Sequence, residues 1–96
     1  MTFISSFEKE ERYYTIEEMI AWMIEEPNRT ACKRILADNR KLFQTVQGST
    51  HNHQAWPGGY YDHVQEAMNW AIIFYGIIDS RRPQPFSLSS ALLVMF

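Results

Sequence analysis

A chain of 96 residues, of which 46% are hydrophobic and 15% aromatic, is long enough for one small domain and too apolar for an intrinsically disordered segment. Its formal net charge of −2 excludes a broad electrostatic attraction to nucleic acid or to anionic lipid. The single cysteine, Cys32, excludes an internal disulfide and favours a reducing, cytoplasmic location. Charged residues near the start predict no signal peptide, and no apolar run reaches the roughly 18 residues of a membrane span.

The first helix has a well-defined predicted start. Residues 1–14 show no hydrophobic period and are predicted to be an N-terminal arm, followed by one helical domain over residues 15–96. Thr15 and Glu18 have the spacing of a capping box, in which each side chain accepts a hydrogen bond from the other residue's backbone N–H. Pro27 predicts the end, because the residue before a proline avoids the helical region. The apolar stripe of this helix consists of Ile16, Met19, Ile20 and Met23.

A second helix is predicted from Asn28 or Thr30, either of which can cap it, to Gly48, a residue type that commonly ends helices. Residues 48–59 are polar and rich in glycine and histidine, and they predict a loop. The apolar stripe of the second helix is interrupted by Asn39 and consists of Cys32, Ile35, Leu36, Leu42, Phe43 and Val46.

The longest helix is predicted from Gly59 to about Ile78, with apolar residues on most of its sides, as is typical of the buried centre of a bundle. After a turn rich in arginine and proline, Ser87 or Ser89 is predicted to cap a final segment that runs to Phe96. The sequence therefore predicts an all-α fold, a bundle of about four helices. One face of the longest helix carries Tyr60, Val64, Ala67, Met68, Ala71, Ile72, Tyr75 and Ile78, and the other carries Trp70, Ile73, Phe74 and Ile77.

Three histidines, His51, His53 and His63, lie around the start of the longest helix. Imidazole is the commonest protein ligand for transition metals and the usual acid–base group near neutral pH. Helical spacing puts His63 on the side of Trp70 and Phe74, so we expect its side chain to point at the interior. The simpler interpretation is that the histidines are solvated or structural, because the separation between His51 and His53 is not a typical zinc spacing.

The segment from His53 to His63 reads His-Gln-Ala-Trp-Pro-Gly-Gly-Tyr-Tyr-Asp-His. It resembles the first motif of HD-domain metal-dependent phosphohydrolases, in the branch that reads roughly His-His-Ala-Tyr-Pro-Gly-Gly-Leu-Leu-Glu-His and includes HD-type 3′–5′ exoribonucleases and relaxase-associated HD domains. The shared features are Pro-Gly-Gly and a histidine four residues after the second glycine. Together with the apolar run Ala91–Phe96, the resemblance covers residues 48–96.

The resemblance implies a helical fold around one or two divalent metals of the Mn, Mg, Fe or Ni type. It implies that the substrates are nucleotide or nucleic-acid phosphate esters. His63 matches the family's first metal ligand, and His53 matches the catalytic histidine that faces the substrate phosphate. The resemblance also implies that Gln54 and Trp56 contact the substrate.

Several residues depart from the family pattern. Gln54 stands where the branch often has its second histidine, which removes a titratable group. Tyr60 and Tyr61 replace a leucine pair and add a polar edge. The family's His-Asp pair does not occur between Ala91 and Phe96 or elsewhere in the chain, so three of the four implied metal ligands are missing. We therefore expect the chain to be catalytically inert alone, whether it is part of a longer hydrolase, a cleaved fragment or a shortened relative kept for binding.

The missing ligands leave a second function open. Without the other helices of an HD domain, the second face of the longest helix is expected to be exposed and to self-associate or bind a protein partner. The alternative function is therefore a non-catalytic helical interaction module, and a third interpretation is regulatory metal or nucleotide binding without turnover. The residues expected to form this surface are Trp70, Ile73, Phe74 and Ile77.

Overall fold

The computed structural model of the chain describes residues 11–46 and 56–96. These residues form five helices and contain no strand, which confirms the predicted all-α fold. No helix within the two described ranges is long and apolar enough to cross a membrane. The helices are α1 (Ile16–Met23), α2 (Asn28–Asp38), α3 (Arg40–Thr45), α4 (Gly59–Arg81) and α5 (Leu88–Met95).

The start of α1 is the predicted capping box. The Thr15 hydroxyl accepts from the Glu18 backbone N–H at 3.1 Å, and Glu18 Oε1 accepts from the Thr15 N–H at 2.8 Å. Arg12 donates to the same carboxylate at 3.0 Å. The hydrogen bond from Arg12, followed by that from the Thr15 backbone, lowers the pKa of Glu18 to about 2. These local hydrogen bonds satisfy backbone donors that a helix start otherwise leaves without partners.

The core lies between α1, α4 and α5. The apolar stripe of α1 is completely buried, as its periodicity predicts. Tyr14 is buried in the same core, so the packed part of the chain extends at least one residue beyond the predicted boundary at residue 15. The buried side chains around this stripe are Tyr14, Ile24, Cys32, Val64, Met68, Leu88 and Leu92.

A buried asparagine fixes α4 against the residue that precedes the α1 cap. Asn69 is 7% exposed, and its Oδ1 accepts from the Tyr14 N–H at 2.8 Å. Its Nδ2 donates to the Tyr14 carbonyl, also at 2.8 Å. Because Tyr14 belongs to no helix, the asparagine supplies the pairing that buried backbone groups require.

The second predicted helix is two helices, and its predicted bounds are wrong. The chain breaks at Asn39, whose φ of −115° and ψ of 23° lie outside the helical region. Asn39 also donates through Nδ2 to the Ile35 carbonyl, which ends α2 locally. Pro27 occupies the N-cap position of α2 without a side-chain hydrogen bond, so neither Asn28 nor Thr30 is the cap. The following helix, α3, ends at Thr45 rather than at Gly48.

The apolar residues of α2 and α3 are only partly buried. Cys32 and Phe43 are buried as predicted, whereas Ile35 is 48% and Leu42 56% exposed. The predicted stripe assumes one continuous helix, and the break at Asn39 interrupts that helical register. The predicted stripe is therefore only partly a core stripe.

The end of the described chain agrees with its predicted cap. The Ser87 hydroxyl accepts from the Ser90 backbone N–H at 3.1 Å, so Ser87 rather than Ser89 begins α5. Ser89 is buried, and its Oγ accepts from the Glu25 N–H at 2.8 Å. The two serines therefore fix the start of α5 and the exit of α1, respectively.

Candidate functional site

The turn into α4 explains why residue 58 of the motif is a glycine. Gly58 is the N-cap and has a φ of 84°, in the left-handed region that favours glycine. A Cβ at this position would lie 3.1 Å from the Gln44 backbone oxygen, so a side chain would press α3 away. The Gly59 N–H donates to the Trp56 carbonyl at 2.8 Å and closes the turn. The first glycine of the Pro-Gly-Gly motif is therefore required by the way α4 approaches α3.

A backbone hydrogen bond joins the two ends of the predicted histidine loop. The Tyr60 N–H donates to the Val46 carbonyl at 2.9 Å, which ties the end of α3 to the first turn of α4. The chain between them thus leaves and returns at one place, beside the start of α4. His51, His53 and Gln54 belong to that stretch and lie outside the described residues, so their roles stay predictions.

Trp56 is at the start of α4 and is half exposed. Its indole Nε1 donates to Asp62 Oδ2 at 2.8 Å. The ring is therefore held by a carboxylate of the first turn of α4, next in sequence to His63. A substrate contact by Trp56, as predicted, would use the face of the ring rather than its N–H, because the N–H already has an acceptor.

The structure corrects the predicted direction of His63. The side chain is exposed and does not point at the interior. Trp70, Phe74 and Ile77 follow His63 by seven, eleven and fourteen residues, a spacing that puts all four on one side of a helix. That side is not the core side, because α1 and α5 pack against the opposite side through Val64 and Met68.

The same side of α4 forms an exposed apolar surface, which we call the α4 outer face and define as Trp70, Ile73, Phe74 and Ile77. These side chains are 51%, 48%, 54% and 51% exposed, respectively. The rings of Trp70 and Phe74 stack with centroids 5.5 Å apart and an angle of 19° between their planes. The expected exposure of these residues is thus confirmed, and the prediction that α4 is a buried central helix is wrong on this side.

The described residues do not form a metal site by themselves. Across residues 11–46 and 56–96, no group of three or more histidine, cysteine, aspartate or glutamate side chains is placed to hold a metal ion. His63 is the single implied ligand within these ranges. One imidazole does not make a catalytic metal site, which typically uses three protein ligands.

A cleft that the sequence did not predict lies between α1, α2 and α3. Its volume is about 360 Å³, and Ile20, Leu36 and Phe43 are its apolar lining. Lys33 and Arg40 line it from the side of α2 and α3. The helical spacing of Lys33, Leu36 and Arg40 is the sequence pattern that could have indicated this cleft. The break at Asn39, however, puts Arg40 on a different helix from the other two.

Tyr61 closes the cleft on the side of α4. Its hydroxyl donates to Glu17 Oε1, and both residues line the cleft. Burial first, and then the hydrogen bond to Glu17, raises the pKa of Tyr61 well above its usual range. Tyr61 therefore adds a polar group beside the apolar lining, and this group contacts Glu17 of α1.

The comparisons with known proteins give no family for the chain. No family model matches it, and neither the curated proteins nor the solved structures yield a match.

Proposed function

We propose that the chain contributes the N-terminal portion of an HD-type metal-dependent phosphohydrolase that acts on nucleotide or nucleic-acid phosphate esters. The observation that carries the proposal is that His63 is exposed on the same side of α4 as the α4 outer face. A metal ligand must lie where the other ligands can approach it. The apolar helix face beside His63 is a surface on which the helices that carry those other ligands could pack. A cytoplasmic location, suggested by the single cysteine, is part of this proposal.

The proposal assigns separate roles to the residues of the motif. His63 ligates the metal through one ring nitrogen, and His53 donates a hydrogen bond to the substrate phosphate. Gln54 and Trp56 contact the substrate beside it. A divalent metal of the Mn, Mg, Fe or Ni type would supply Lewis acidity toward the phosphoryl oxygen and a more acidic bound water. Because His63 is one ligand, the chain by itself is expected to be inert.

Three histidine variants test this proposal in a polypeptide that carries the chain together with the remaining helices of an HD domain. We expect His63→Ala to remove bound manganese and to lower hydrolysis of bis(4-nitrophenyl) phosphate by at least about 100-fold, because it removes a ligand. We expect His53→Ala to keep the metal and to lose hydrolysis. His51→Ala is the matched control, since the family pattern gives His51 no role, and it should keep both.

Elemental analysis and initial rates measure the two effects separately. Unchanged manganese content and unchanged hydrolysis in His63→Ala would contradict the proposal. A longer polypeptide that contains no metal and hydrolyses no phosphodiester would contradict it as well.

A second candidate function, a non-catalytic interaction module, is favoured by the exposure of the α4 outer face. Its four residues carry no charge, so the face is complementary to the same face on a second copy of the chain. Two-fold symmetric pairs bring identical patches together in this way. We infer that, if the chain functions without further helices, its partner is a second copy.

Sedimentation velocity tests the second candidate. The average mass of the chain is expected to rise with concentration, and Phe74→Ser is expected to return it to the monomer value, because a buried phenylalanine contributes about 2 kcal/mol to association. Ile35→Ser is the matched control, since Ile35 is 48% exposed on α2, away from this face. A monomer mass that does not change with concentration would exclude a second copy of the chain as the partner.

A further inference from the structure

The cleft between α1, α2 and α3 is a candidate ligand site that is separate from the α4 outer face. Its volume of about 360 Å³ lies within the range of small-molecule pockets, roughly 300–1,000 Å³. Such pockets are mostly apolar and contain a few polar groups that orient the ligand. The cleft has the same composition, with an apolar floor and charged groups beside it.

The apolar floor comes from residues that already belong to the packed structure. Ile20 is 1% and Phe43 7% exposed, and Leu36 packs partly buried against the core. Phe43 also contacts the Tyr61 ring edge-on, with centroids 6.3 Å apart. Because these side chains are fixed by packing, the floor is preformed. The protein therefore loses little conformational freedom when a flat apolar group binds to it.

The charged groups beside the floor favour an anion. Lys33 and Arg40 are exposed and both line the cleft. Among residues 11–46 and 56–96, neither side chain forms a hydrogen bond or a salt bridge. Glu17 is the one carboxylate that lines the cleft, and because two cations line it as well, the net charge of the lining is positive.

We propose that this cleft binds a small monoanion with a flat apolar body, such as an aromatic carboxylate, with Lys33 and Arg40 holding the carboxylate and Phe43 contacting the ring. A purely apolar ligand would make no charge interaction with Lys33 or Arg40. A compact dianion would leave the apolar floor uncovered and would lie near the Glu17 carboxylate.

Isothermal titration calorimetry with 4-phenylbutyrate tests the proposal on the chain itself. A ligand of about a dozen non-hydrogen atoms is expected to bind with a dissociation constant on the order of 1 mM. The uncharged 4-phenylbutanamide keeps the apolar body and is expected to bind about fivefold more weakly. Acetate keeps the charge without the body, and equal binding of acetate would show an adventitious ion only and would overturn the proposal.

Charge variants locate the site. Lys33→Gln and Arg40→Gln are each expected to weaken 4-phenylbutyrate binding by about threefold, which corresponds to an exposed charge interaction. Lys41→Gln is the matched control, because Lys41 is exposed next to Arg40 and does not line the cleft. All three positions are exposed, so the variants are expected to fold, and circular dichroism checks this.

Two results would overturn the proposal. One is equal affinity for the carboxylate and its amide, and the other is an equal loss of affinity in Lys41→Gln and in the two cleft variants. Backbone amide shifts in NMR spectra upon titration are expected at Ala37 and Gln44, which line the cleft. Shifts confined to the α4 outer face would place the ligand elsewhere and would also count against the cleft.

Discussion

Replacement of Asn69 by alanine is expected to lower the free energy of unfolding by about 3 kcal/mol. The substitution removes the partners of both backbone groups of Tyr14, the N–H and the carbonyl, each held at 2.8 Å. Leaving a buried donor or acceptor without a partner costs about 1–3 kcal/mol, and two such groups are affected. For a small domain, which is typically stable by about 5–15 kcal/mol, this is a large fraction.

Urea denaturation followed by circular dichroism measures the effect of Asn69→Ala. Asn39→Ala is the matched control, because the Asn39 side chain donates to the Ile35 carbonyl at 2.8 Å at a partly exposed position. Its expected cost is below about 1 kcal/mol. Equal destabilisation by the two variants would show that Asn69 does not fix α4 to the residue before the α1 cap.

Gly58→Ala is expected to destabilise the fold by about 2 kcal/mol. A φ of 84° costs an L-residue about 1 kcal/mol or more, because its Cβ approaches its own backbone. The new Cβ would in addition lie 3.1 Å from the Gln44 backbone oxygen, which cannot rotate away as a side chain can. The turn into α4 must therefore shift, and with it the hydrogen bond between Tyr60 and Val46.

Gly76→Ala is the control for Gly58→Ala, and it is expected to change stability in the opposite direction. Gly76 lies within α4, and a Cβ there meets nothing within 4 Å. Alanine is favoured over glycine within a helix by about 0.5–1 kcal/mol, so Gly76→Ala should stabilise the chain. Thermal unfolding of the two variants compares them directly, and a Gly58→Ala variant as stable as the parent chain would contradict the argument.

The features that the sequence predicted correctly are the ones that neighbouring residues determine. The Thr15 capping box, the Ser87 cap and the start of α4 at Gly59 depend on hydrogen bonds and backbone angles within a few residues. Such local patterns can be predicted from the sequence because they do not depend on how the rest of the chain packs.

The features that the sequence predicted wrongly depend on distant partners. Apolar residues lie on two sides of α4, and periodicity alone does not show which side meets α1 and α5. His63 was therefore predicted to point inward although its side is the uncovered one. Asn39 interrupts an apolar stripe in the sequence, but the sequence does not show that the chain breaks there or that Ile35 and Leu42 are exposed.

The start of α4 was predictable from the motif, but the contacts made there were not. The motif pointed to the start of α4, and the structure adds that Asp62 holds the Trp56 indole there. No sequence pattern distinguishes this carboxylate from an ordinary acidic residue in the first turn of a helix. The cleft was missed because its lining comes from three helices and Tyr61, which are brought together only by folding.

The hydrogen bond between Tyr60 and Val46 has a consequence for how the protein can change over evolutionary time. It fixes where the intervening stretch leaves the helices and where it returns, at 2.9 Å between the two backbone atoms. Lengthening a chain segment whose ends are already held costs little, about 0.6 kcal/mol for each doubling of its length. Insertions and substitutions within residues 47–55 are therefore expected to leave the core residues with their partners, whereas Gly58 between the same anchors does not tolerate a side chain.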